Sequence, residues 1–84
     1  MIIKAINIDT KITVDAVEFD GTNHAEIITF GNGKINSLDK NLTLTNYTSI
    51  NVRIKEGDYV VDEKGKELRV YSRMKFNGRY DIIK

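Results

Sequence analysis

The chain has 84 residues, a formal net charge of +1, no cysteine, no proline and no tryptophan. That length makes a single domain over residues 1–84 the expectation, close to the lower limit for a self-sufficient core, and leaves homo-oligomerisation open. Without cysteine there are no disulfides, thiolate metal sites or thiol nucleophiles, and no apolar run approaches a membrane span.

Twelve isoleucines and six valines against three alanines and four leucines favour strands. Ile2, Ile6 and Ile8 alternate with polar Asn7 and Asp9, so residues 2–8 read as a strand that begins without a signal-peptide pattern. Residues 12–19 read as a second strand. Ile12 and Val14 share one parity and Val17 and Phe19 the other, and this switch near Asp15-Ala16 suggests a bulge. Asp20-Gly21-Thr22-Asn23 is turn chemistry in which Thr22 or Asn23 can cap a helix. Residues 23–31 then read as the one helix, burying Ile27, Ile28 and Phe30, with Gly31 or Gly33 ending it in a left-handed conformation.

Ile35 and Leu38 mark a weak strand, Asp39-Lys40-Asn41 a turn, and Leu42-Thr43-Leu44-Thr45 a clean alternation. Ile50, Val52 and Ile54 continue it, with Asn51, Arg53 and Lys55 facing the other way. Residues 56–58 form a turn, 59–62 a strand, and 62–66 a hairpin loop with Gly65 at the positive-φ position. Phe76 and Tyr80 stand one helical turn apart, as in a short turn that plugs the end of a sheet, and Ile82 and Ile83 suit a last strand. The fold class is α+β, mainly β: a largely antiparallel sheet of short strands with one short helix near residues 23–31. Phe19, Phe30 and Phe76 belong to its core, and Tyr47 and Tyr59 to core or rim.

Little here supports catalysis. His24 is the only histidine and has no second ligand nearby in sequence, so it reads as a solvated or capping residue. Asp58, Asp62, Glu63 and Glu67 gather in one hairpin, where solvated turn carboxylates are the plain reading against an acid pair in a cleft. Gly31-Asn32-Gly33-Lys34 resembles part of a phosphate loop but follows the helix instead of opening it, and lacks the Ser/Thr that holds Mg²⁺, so it reads as a helix C-cap. Ser37, Ser49 and Ser72 have no base at motif spacing. The expectation is a protein that is not an enzyme, with no cofactor and no metal.

Charge is unevenly placed: residues 1–52 carry four lysines against six acids, and residues 53–84 nine basic residues against six acids. The C-terminal part therefore suits an anionic partner, although the excess makes no strong case for generic nucleic-acid binding. Its best candidate surface is the strand that carries Glu67, Arg69, Tyr71 and Arg73 on one face and Leu68 and Val70 on the other. With Arg53 and Lys55 on the same sheet face, three arginines, a lysine and a tyrosine would meet, suiting phosphate and a stacked base. The alternative reading pairs Arg69 and Arg73 with Glu67 or Glu63 as an ordinary exposed face.

Ala16-Val17-Glu18-Phe19-Asp20-Gly21, Leu42-Thr43-Leu44-Thr45, Gly57-Asp58-Tyr59-Val60-Val61 and Phe76-Asn77-Gly78-Arg79-Tyr80 occur in the order seen in a family of small bacteriophage-encoded accessory proteins, which this chain resembles over residues 12–84. The chain departs from that pattern at Gly65-Lys66-Glu67, where the family has Gly-Glu, and residues 1–11 look like an addition. The resemblance carries no catalytic residues. It implies a phage accessory product that binds a host antiviral defence component in the host cytoplasm, either as a protein blocker such as an anti-CRISPR or as a sponge for a signalling nucleotide. The alternative is a virion or replication-associated assembly protein that adds exposed strand edges to a partner sheet.

Overall fold

A computed structural model describes residues 1–45, 51–63 and 68–83. The first hairpin joins β1 (Ile3–Asn7) to β2 (Thr13–Glu18), antiparallel with Ala5 opposite Val14. Its turn is organised by Asn7, whose Oδ1 accepts the backbone N–H groups of Asp9 at 2.9 Å and Thr10 at 3.0 Å. Val14 and Ala16 are buried on one face of β2 and Val17 on the other, yet the register runs unbroken to both neighbours. The parity switch at Asp15-Ala16 is therefore no bulge. Both faces of this central strand are covered, so both parities carry apolar residues.

Helix α1 (His24–Gly31) follows. Asn23 precedes it but does not cap it with its side chain. Its Oδ1 accepts from Asp20 N–H at 2.9 Å and its Nδ2 donates to Glu18 C=O at 2.9 Å, locking the turn out of β2. Ile27 is fully buried and Phe30 partly so, whereas Ile28, expected in the core, is exposed: so short a helix offers the interior one narrow stripe. Asn32 adopts the left-handed C-cap (φ 50°) with Gly33 next (φ 87°). Gly31 serves another purpose, because a Cβ there would lie 2.6 Å from Ile35 Cγ1.

β3 (Ile35–Leu38), β4 (Asn41–Thr45) and β5 (Asn51–Ile54) form a three-stranded antiparallel sheet in that order. Asp39 and Lys40, both at positive φ, make the two-residue hairpin loop whose twist matches the flanking strands. β6 (Tyr59–Asp62), β7 (Leu68–Tyr71), α2 (Arg73–Arg79) and β8 (Tyr80–Ile83) complete the chain. The larger sheet has the order β7-β6-β2-β1-β8, all antiparallel. The mainly-β α+β class stands, with two sheets and a second helix beyond the one expected. Phe76 and Tyr80 belong to that helix and to the strand it leads into.

The two faces of the larger sheet bury different cores. On one, Val17, Val60 and Leu68 meet Ile27 of α1 and Ile35, Leu42, Leu44 and Ile54 of the smaller sheet. On the other, Ala5, Val14, Ala16, Tyr59 and Val61 lie under Phe76 and Tyr80. Ser72 caps α2 by accepting Lys75 N–H. Gly65 and Ile50 lie outside the described residues, as does Tyr47. No helix is long and apolar enough to cross a membrane, among the described residues.

Candidate functional site

The α2 face of the larger sheet is only partly covered. Phe76, fully buried, stacks on Tyr59 (centroids 4.1 Å apart, planes 5° apart) and on Tyr80 (5.1 Å, 21°). Beyond Tyr80 the helix has ended, and the sheet's far end lies open as a cleft of about 400 Å³, within the usual size range of small-molecule sites. Ile12 and Val14 supply apolar surface, and Asn7, Asp9 and Thr10 the lip on the β1–β2 turn. The charged side is built by Arg69 and Tyr71 from β7, Glu63 after β6, and Arg79 at the end of α2.

Glu63 ties this side together. Its Oε1 accepts the Tyr71 hydroxyl at 2.7 Å and the Tyr80 hydroxyl at 3.1 Å, and Arg69 Nε stands 3.7 Å away. Tyr71 and Tyr80 meet edge to face at 5.8 Å, and the Arg79 guanidinium lies 5.5 Å from the Tyr71 ring centroid, in cation–π range. Arg79 takes part in none of the ion pairs found among the described residues. With Glu63 already accepting two hydroxyls, both arginines keep donors for a further acceptor. A guanidinium carries five N–H groups in a planar fork suited to phosphate or carboxylate.

The tyrosines respond to this setting. Burial, then the hydrogen bond and charge of Glu63, push the Tyr71 hydroxyl well above the ordinary value of 10.0. Burial and the Glu63 charge also raise Tyr80, and burial and the Glu18 charge raise Tyr59. A raised folded-state pKa gives stability that is fully present below the unfolded value of 10.0 and is lost as pH rises through the folded value. Spectrophotometric titration should therefore find Tyr59, Tyr71 and Tyr80 resisting ionisation past pH 10.0, and ionising together with loss of the far-ultraviolet circular dichroism signal. Complete ionisation around pH 10.0 with the fold intact would contradict it.

The structure divides the expected binding stripe. Arg69 and Tyr71 share one face of β7, with Leu68 and Val70 turned to the other core. Arg73 is not on that strand: it opens α2 and pairs with Glu18 Oε2 at 2.6 Å. Arg53 lies on β5 of the smaller sheet, where its Nη2 donates to Asn41 Oδ1 at 2.8 Å, and Lys55 follows in the turn toward β6. Neither joins Arg69, because the chain changes sheets between β5 and β6. Glu67 lies outside the described residues. Arg79 is the cleft residue missed; Glu63, expected only as a turn carboxylate or ion-pair partner, does pair with Arg69 but not with Arg73. Arg79 sits next to Tyr80 in the closing motif, but only the docking of α2 onto the sheet carries it to Tyr71.

His24 packs edge to face on Phe19 at 5.0 Å, with Nε2 at 3.2 Å from the Lys40 carbonyl oxygen. No group of three or more histidine, aspartate or glutamate side chains among the described residues could hold a metal ion. Comparison with protein-family models, curated proteins and solved structures yields no match.

Proposed function

We propose that the protein is a non-enzymatic binding module that holds an anionic, nucleotide-like small molecule in the cleft beside α2. The observation that carries this reading is the placement of two guanidiniums, Arg69 beside Glu63 and Arg79 against the Tyr71 ring, in the lining of a cleft of about 400 Å³. Phosphate oxygens of the ligand take the arginine donors, and a planar base rests against the exposed apolar side chain of Ile12. Sequestration needs only affinity, which agrees with a site that combines cations, a ring and an apolar floor. Together with the resemblance to small phage accessory proteins, this favours a sponge for a signalling nucleotide of a host antiviral defence over a protein blocker.

Native mass spectrometry tests the reading, after incubation with a deproteinated extract of phage-infected cells and with a panel of mono- and cyclic nucleotides. A retained small mass is expected. Arg69→Ala and Arg79→Ala should each weaken binding about tenfold or more, since a hydrogen bond to a charged group contributes about 1.5–3 kcal/mol. Affinity should also fall as salt rises. A clean protein mass throughout, with no nucleotide bound at millimolar concentration in solution, would sink the proposal.

A further inference from the structure

The last strand ends a sheet without closing it. β8 pairs with β1 on one side, and its other edge pairs with no strand among the described residues. An unpaired edge is a template for another strand, and soluble proteins commonly blunt it with lysine, proline or a bulge. Tyr80-Asp81-Ile82-Ile83 has none of these and a single charge. Ile82 and Ile83 are 39% and 48% exposed. The other strands at sheet margins are more polar: β5 carries Arg53, β7 carries Arg69, and β3 carries Asn36 and Ser37.

The backbone shows which groups this edge offers. Ile8 N–H donates to Arg79 C=O at 2.9 Å, and the register continues Asn7 to Tyr80, Ile6 to Asp81, Ala5 to Ile82 and Lys4 to Ile83. Antiparallel ladders alternate, so Asp81 and Ile83 turn their amides toward β1, and Tyr80 and Ile82 turn theirs outward. Tyr80 N–H is already taken by Phe76 C=O. Ile82 is thus the residue whose N–H and C=O both face away from β1, with no partner among the described residues.

We propose that β8 pairs with β8 of a second copy about a two-fold axis at Ile82, joining the two five-stranded sheets into one. Ile82 of each copy then exchanges two backbone hydrogen bonds with its counterpart. Asp81 comes opposite Ile83 of the second copy, and the two Ile82 side chains meet. A two-fold axis perpendicular to the sheet keeps faces matched only when residues of like parity oppose each other. The neighbouring register, centred on Asp81, would set carboxylate against carboxylate and call on the Tyr80 amide that α2 already uses. Self-complementarity in this one register argues for a second copy over an unrelated strand, and a formal net charge of +1 offers little repulsion between copies.

Light scattering on the purified chain should give twice the 9.6 kDa chain mass. Ile82→Lys, which sets like charges face to face, should give a monomer with an unchanged far-ultraviolet circular dichroism spectrum. Because the chain has no cysteine, Ile82→Cys supplies a test that does not depend on tolerance of the lysine. Opposed residues of a hydrogen-bonded antiparallel pair lie about 5.5 Å apart at Cα. A short thiol–thiol cross-linker should therefore join Ile82→Cys chains in high yield, and leave Leu38→Cys chains, whose site on β3 is 75% exposed, largely unjoined. A monomeric wild type at high micromolar concentration, a dimer that survives Ile82→Lys, or equal cross-linking at both positions would overturn the proposal.

Discussion

Phe76→Ala should lose about 3–5 kcal/mol of stability, the range for truncating a buried aromatic. Phe76 is fully buried, stacked between Tyr59 and Tyr80, and is the large side chain with which α2 covers its face of the sheet. A chain of this length has about 4–13 kcal/mol in total, so the variant would stand near the threshold of folding. Each kcal/mol moves the melting temperature by about 4–8 °C at this size, and thermal and urea unfolding followed by circular dichroism would read the effect. Phe76→Leu retains most of the volume and should lose much less. The cleft depends on the same contact, because α2 carries Arg79 and leads into Tyr80. If Phe76→Ala unfolds within about 1 kcal/mol of the wild type, α2 does not form the second core.

Glu63→Ala should lower stability by about 1–3 kcal/mol, as two partly buried tyrosine hydroxyls lose their acceptor and Arg69 its nearest carboxylate. Glu63→Gln retains an oxygen acceptor in place and should lose less than about 1 kcal/mol. The pair separates hydrogen bonding from charge. Both variants remove a negative charge from beside Arg69, so both should bind an anionic ligand more tightly, Glu63→Ala despite its weaker fold. Both should also let Tyr71 and Tyr80 ionise at lower pH, since the Glu63 charge helps to hold them neutral. Calorimetric titration with a nucleotide that the wild type binds would show the sign. Weaker binding by Glu63→Gln with the fold intact would mean that the Glu63 carboxylate accepts from a donor on the ligand, and that the cleft does not select for anions.

Local elements were legible because local rules govern them. Alternation marked β1, β4 and β5. The left-handed run after α1 was anticipated, though Asn32 shares it with Gly33 where Gly31 had been a candidate. Arg69 and Tyr71 opposite Leu68 and Val70 followed from the period of two along a strand. Where two long-range surroundings acted on one segment, a local reading failed. Asp15-Ala16 looked like a bulge because Val14 and Val17 serve two different cores. Ile28 looked buried because a residue pattern does not reveal how wide a stripe its neighbours cover.

By itself, then, the sequence determined a small β-rich chain, its strand and turn order, the parity of the side chains along β4, β5 and β7, and the concentration of positive charge after residue 52. The tertiary structure alone decided which of those charges stand together. Arg53 and Lys55 went with the smaller sheet, Arg73 was drawn to Glu18, and Arg79 arrived at Tyr71 from the far end of α2. The physical reason is that sheet order places β7 and β8 at opposite margins of one sheet, and packing of Phe76 across that sheet brings Tyr80 back to Glu63. Partners on separate elements leave no periodic trace, because burial of the shared core, not spacing along the chain, sets the distance between them.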